Sequence, residues 1–162
     1  MANRERAKQI TPTPISHFET ASSYLRALQM LESRGISQCE TEIAFFMMAG
    51  FATEIFLKCI LAADGKSVRE HGHDLWSAML AASSADLFDR VDVSEVSAVV
   101  VALRDFHFNH SFRYMEDDPE LSVPHPELVI RVLLTLKAIA VRALGLIEEG
   151  NRLSFDMDKY EG

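Results

Sequence analysis

The sequence predicts an all-α fold, an antiparallel up-and-down helical bundle of four long helices and a shorter one. Three observations carry this. Apolar residues recur at three- and four-residue steps through four long stretches. No segment shows sustained two-residue alternation bounded by hairpin turns; even the β-branched run Val96 to Val101 has helical flanks and spacing. The stretches are joined by short to moderate connections, for which an antiparallel bundle is the default packing. At 162 residues, 48% apolar and 25% charged, the chain has the size and composition of one globular domain with a packed core.

Residues 1–15 read as a flexible basic arm: Arg4, Arg6 and Lys8 precede Thr11-Pro12-Thr13-Pro14, and no apolar stretch follows the charges as a signal peptide would require. The bundle is expected over residues 16–150. Ser16 can cap a first helix with Phe18, Ala21, Leu25, Leu28 and Leu31 on one face, ended by Gly35. A second helix, Glu40 to Asp64, is apolar on nearly every side and closes at Gly65, so it needs partners all round. Within it, Ile43 to Ala63 is nearly long enough to span a bilayer. Glu54 and Lys58 decide against a span. Each would cost roughly 2.5–3.5 kcal/mol near a membrane centre, whereas in a buried soluble helix they form a favourable i,i+4 pair.

After a polar loop, Lys66 to His73, Asp74 caps a shorter helix with Leu75, Trp76, Met79 and Leu80. Ser94 opens the fourth, with Val96, Val99, Val100, Leu103 and Phe106 on one face. A loop rich in acid and proline runs from Met115 to Pro124. His125-Pro126 then starts the last helix, whose core positions Leu128, Val132, Leu136, Ile139 and Leu146 lead to Gly150 and whose solvent stripe is Arg131, Thr135, Ala138 and Arg142. Residues 151–162 form a tail, docked or frayed.

Sixteen basic against twenty-four acidic residues give a formal charge of −8, which argues against broad electrostatic capture of nucleic acid, so any RNA contact must be local. Cys39 and Cys59 are too few for a disulfide framework or a zinc cage and fit a reducing cytoplasm. The informative polar residues cluster twice: Arg69-Glu70-His71-Gly72-His73-Asp74, and Arg104-Asp105-Phe106-His107-Phe108-Asn109-His110 followed by Arg113-Tyr114. On an ideal helix Arg104 and His110 lie about 120° apart around the axis and roughly 9 Å along it, with His107 between them. Continuing the Val96, Val100 and Leu103 face carries His107 and His110 toward neighbouring helices, where polar atoms need partners. Arginine and histidine together supply what phosphodiester cleavage needs without a metal: a group that moves protons near neutral pH, and a forked permanent cation for charge developing on phosphate.

With these residues the chain resembles the HEPN family, the higher eukaryotes and prokaryotes nucleotide-binding helical bundles. That family's late helix carries an arginine, a polar residue, a short spacer and a histidine, matched here by Arg104, Asp105 and His110, with Arg113-Tyr114 following. Glu54, Leu57 and Lys58 resemble its E-x-x-L-K pattern, and His73-Asp74-Leu75 its H-x-L-x-x-L pattern, except that Ala78 stands where the second leucine belongs. The similarity spans roughly Phe18 to Glu148. It implies a cytoplasmic homodimer whose two chains line one cleft, a metal-independent endoribonuclease without a cofactor, and a toxin paired with a nucleotidyltransferase-type or other antitoxin. Carried over by position, His110 transfers protons for attack by the RNA 2′-hydroxyl and Arg104 stabilises the phosphorane-like transition state. Asp105 orients the site, His107 and Asn109 support it, and Arg113 and Tyr114 bind substrate.

Other readings stay open on the same residues. Arg104 and His110 can instead form a structural network with Asp105 or the acidic run Glu116-Asp117-Asp118, leaving a non-catalytic nucleotide-binding or protein-interaction module. Glu54 and Lys58 can be a partly buried pair that sets helix register. His71 and His73 are two potential metal ligands with no third and fourth at a recognisable spacing; a helical metalloenzyme would add His107 and His110.

Overall fold

A helix that is apolar on every side has to be surrounded, and the second helix of this protein is. The computed structural model describes residues 12–35, 39–84, 86–89, 91–109, 124–149 and 152–155. These residues form five α-helices: α1 (Pro14–Glu32), α2 (Cys39–Ala63), the short α3 (Leu75–Ser83), α4 (Val93–Asn109) and α5 (Pro126–Ala143). The protein is thus an all-α helical bundle with four long helices and a short one. Helix α2 packs against α1, α3, α4 and α5, while α5 closes over α1 and α4. The stretch Glu42–Ala63 has the length and composition to cross a membrane, but its buried residues Phe45, Phe46, Ala49, Ala52, Phe56, Leu57, Ile60 and Leu61 meet other helices.

The helix ends follow from local chemistry. At α1 the cap is Thr13, not Ser16: Thr13 Oγ1 accepts from the Ser16 amide at 3.1 Å, and Pro14 takes the first helical position, where a missing N–H costs nothing. Helix α2 closes in a Schellman turn. The Lys66 amide donates to Leu61 O at 2.9 Å and the Gly65 amide to Ala62 O at 3.2 Å, which requires the left-handed φ of 71° that glycine adopts without penalty. Asp74 caps α3 as expected, its Oδ1 accepting from the amides of Trp76 and Ser77 at 3.0 and 3.2 Å. At α4 the capping carboxylate is that of Asp92, which accepts from Ser94 and lies two residues before that expected start. Pro126 opens α5 behind His125.

Helix α5 stops at Ala143 rather than running to Gly150, and the chain turns at Gly145, φ 64°. Beyond it Leu146–Glu149 (β1) and Arg152–Phe155 (β2) pair antiparallel, Glu149 opposite Arg152, and β1 lies against α5. This small hairpin corrects the expectation of a helix through Leu146 and gives the tail from Asn151 a paired start. The expected arm over residues 1–15 falls mostly outside the described residues, as do residues 156–162 of the tail.

Candidate functional site

Glu54 sits in the middle of α2, on the helix that every other helix touches, and is 5% exposed. A carboxylate in that position must be met by donors, because an unpaired buried charge is costly. Three meet it. Lys58, one turn along the same helix, donates through Nζ to Oε1. His73, at the end of the loop before α3, shares its Nδ1 between the two oxygens, 3.1 Å from each. His107, near the end of α4 and 6% exposed, donates from Nε2 to Oε2 at 2.5 Å. Burial pushes the Glu54 carboxyl up, but the hydrogen bonds from His107, Lys58 and His73 outweigh it and hold the group down at about 2. His17 of α1 belongs to the same neighbourhood: burial, then the Lys58 ammonium, lowers its pKa, with Glu54 opposing.

His107 reaches this position because α2 has no side chain at Gly50. A Cβ there would stand 2.7 Å from His107 Nδ1 and 3.2 Å from Cγ, so the imidazole occupies space that any other residue would fill. Gly50 and Glu54 are one turn apart on one face, so the helix offers the ring a floor and then an acceptor. Phe51 closes the ring's other side edge to face at 5.1 Å, and His73 approaches it at 6.2 Å between centroids.

Arg104 lies one turn before His107 on α4, with its side chain 46% exposed and its Nε 3.5 Å from Asp74 Oδ1, the oxygen that also caps α3. Among the described residues the partner of Arg104 is therefore Asp74, next in sequence to His73; the acidic run Glu116-Asp117-Asp118 and the Asp105 side chain lie outside them. Asp105 and Asn109 are in the last two turns of α4, their side chains outside the described residues, and His110, Arg113 and Tyr114 also lie outside them. His71 does not join His73: its Nδ1 is hydrogen-bonded to Ser77 Oγ at 2.8 Å.

The three segments singled out in the sequence thus meet at one place: Glu54 and Lys58 from α2, His73 and Asp74 from the α3 entrance, and Arg104 and His107 from α4. Sequence reasoning treated Glu54–Lys58 as a pair and His73 as a loop residue; it missed that the carboxylate is the common partner. The signal available was Gly50, a lone glycine inside a long apolar helix four residues before its one central acid. A second and a third ligand beside His73, not recognisable by spacing, come through tertiary contact: one ligand atom from each of Glu54, His73 and His107 lies within 4.8 Å of the others. The buried thiol of Cys59, by contrast, belongs to the core, and burial pushes it up to about 12, which leaves it a protonated, unreactive side chain.

Compared with protein-family models, with curated proteins and with solved structures, the chain finds no match in any of the three.

Proposed function

We propose that the chain is a HEPN-like domain acting as a metal-independent endoribonuclease, of the kind that serves as the toxin of a toxin–antitoxin pair, with a composite arginine and histidine site at a homodimer cleft. The observation that supports this reading is the convergence of the three segments that carry the resemblance, around Glu54 and Asp74, with Arg104 at the solvent side of the cluster. A half-exposed guanidinium in a 3.5 Å ion pair is a loosely held cation that a phosphate can take over in a charge-assisted, forked contact.

In this reading His110 takes the proton of the RNA 2′-hydroxyl as that oxygen bonds to phosphorus, Arg104 meets the charge that builds on the phosphorus oxygens, and the bond to the 5′-oxygen breaks, that oxygen taking a proton from water and leaving a 2′,3′-cyclic phosphate. His107 acts through position: its bond to Glu54 pins the last turns of α4 to α2, which fixes where Arg104 emerges. Asp105 and Asn109 orient the site, and Arg113 and Tyr114 bind and stack the substrate.

Purified protein is expected to cut RNA in the presence of EDTA, with Arg104→Ala and His110→Ala each lowering the rate at least about a hundredfold. Intact RNA after incubation with the wild-type protein, or cleavage unchanged in both variants, overturns the proposal. The non-catalytic module is the second reading, supported by the fact that Arg104 already has an acidic partner and both histidines are engaged by Glu54. Its signature is a folded protein that binds nucleotide and leaves RNA whole.

A further inference from the structure

We propose that Glu54, His73 and His107 form a binding site for one divalent transition-metal ion of the zinc class, independent of the ribonuclease reading. Two imidazoles and a carboxylate are a ligand set that suits zinc and its first-row neighbours; ions such as calcium and magnesium prefer oxygen alone. The ligands come from three separate parts of the chain, α2, the α3 entrance and α4, and the fold brings one ligand atom of each within 4.8 Å of the other two. Bonds of about 2.0–2.2 Å in tetrahedral geometry set ligand atoms roughly 3.3–3.6 Å apart. His73 Nδ1 is already 3.1 Å from both carboxylate oxygens, so admitting an ion asks chiefly that the 2.5 Å approach of His107 Nε2 to Glu54 open by about 0.8–1.1 Å.

Two of the three ligands are anchored. Glu54 and His107 are 5% and 6% exposed, and the His107 ring is held between Gly50 and Phe51. The third, His73, has a side chain 63% exposed, which gives the ion a way in and leaves a coordination position facing water. The competing charge is Lys58, whose ammonium sits on Glu54 Oε1 in the absence of an ion; its long stem allows it to withdraw toward solvent while remaining packed. Asp74 and Arg104 lie beside the site but do not enter it, since Asp74 is engaged by Arg104 and by the α3 amides.

The test is metal binding, so its outcome does not depend on whether the protein cuts RNA. Full-length protein stripped with EDTA and dialysed is titrated with Zn²⁺ by calorimetry and with Co²⁺ by visible absorption. One equivalent per chain is expected, with Co²⁺ giving the intense ligand-field bands of a low-coordinate nitrogen and oxygen site. His73→Gln, at an exposed position, should keep the helical circular dichroism while weakening Zn²⁺ binding by at least about tenfold. His71→Gln, whose partner is Ser77, should bind as the wild type does. Absence of saturable Zn²⁺ and Co²⁺ binding by the wild-type chain overturns the proposal, as does equal binding by wild type and His73→Gln, or a loss in His71→Gln as large as in His73→Gln.

Discussion

Helix α4 is tied to its neighbours by charge at both ends, and the two ties differ in kind. Near its start, Glu95 takes the guanidinium of Arg131 from α5 through two contacts at the surface. Near its end, His107 reaches Glu54 of α2 inside the bundle, with Lys58 and His73 completing the set. The hydrogen bond from Arg131 is the first cause that lowers the Glu95 carboxyl, whereas the Glu54 carboxyl is first raised by burial and only then brought down to about 2 by three donors. The surface pair keeps much of its contact with water and gains little from forming. The inner network pays for taking a charge out of water, so it is worth much only while every member is present. A bundle can fold around an apolar interior alone; here a charged network takes the meeting point of α2, α3 and α4 instead.

The difference is broken most directly at Glu54. Glu54→Ala leaves Lys58, His73 and His107 facing a buried gap, and is expected to cost about 3–5 kcal/mol in denaturant unfolding, or roughly 6–15 °C in melting temperature for a chain of this size. A loss below about 1 kcal/mol would put the inner network on a level with a surface pair and remove the distinction.

Gly50 sharpens it from the other side. Helix propensity alone predicts that Gly50→Ala stabilises α2 by about 1 kcal/mol. The contact predicts the reverse, because the new methyl would stand 2.7 Å from His107 Nδ1 and force a buried ring and its bond to Glu54 to move. A net loss of about 1–3 kcal/mol is expected, together with displaced imidazole resonances for His107 in NMR spectra. A gain in stability with those resonances unmoved would mean that the ring is not seated against the helix.

Helices other than the all-round apolar α2 were legible through their period: on α5 Val132, Leu136 and Ile139 are buried as expected, joined by Val129 and Leu133, while Leu128 is only partly buried. Ends were less so. Thr13 rather than Ser16, and Asp92 rather than Ser94, became the capping acceptors, since neighbouring Ser, Thr and Asp residues compete for the same amides and only backbone geometry decides. The hairpin was passed over although Gly145 ends α5 and Gly150-Asn151 is a two-residue turn signal; its strands are four residues each, too short for alternation to register. The site was legible in its parts and not in its assembly. Periodicity says which face of a helix turns inward, but not which inward faces meet, and Glu54 lies 19 residues from His73 and 53 from His107. Of the expected catalytic pair, Arg104 lies within the described residues and His110 outside them; of the supporting residues, only His107 has its side chain described.

The smallest effect is expected at the other end of α4. Glu95→Gln removes the charge from the Arg131 pair without changing its shape, and both side chains stand in solvent that can rehydrate them. Its melting temperature should coincide with that of the wild type within measurement error at physiological salt, and raising the salt concentration should change both proteins alike, because the attraction lost was already screened. Denaturation at low salt provides the sensitive comparison, since that is where an exposed pair contributes most. If Glu95→Gln destabilised the chain as much as Glu54→Ala, the two ends of α4 would be held by interactions of the same strength, and burial would no longer distinguish the Glu54 cluster from an ordinary helix tie.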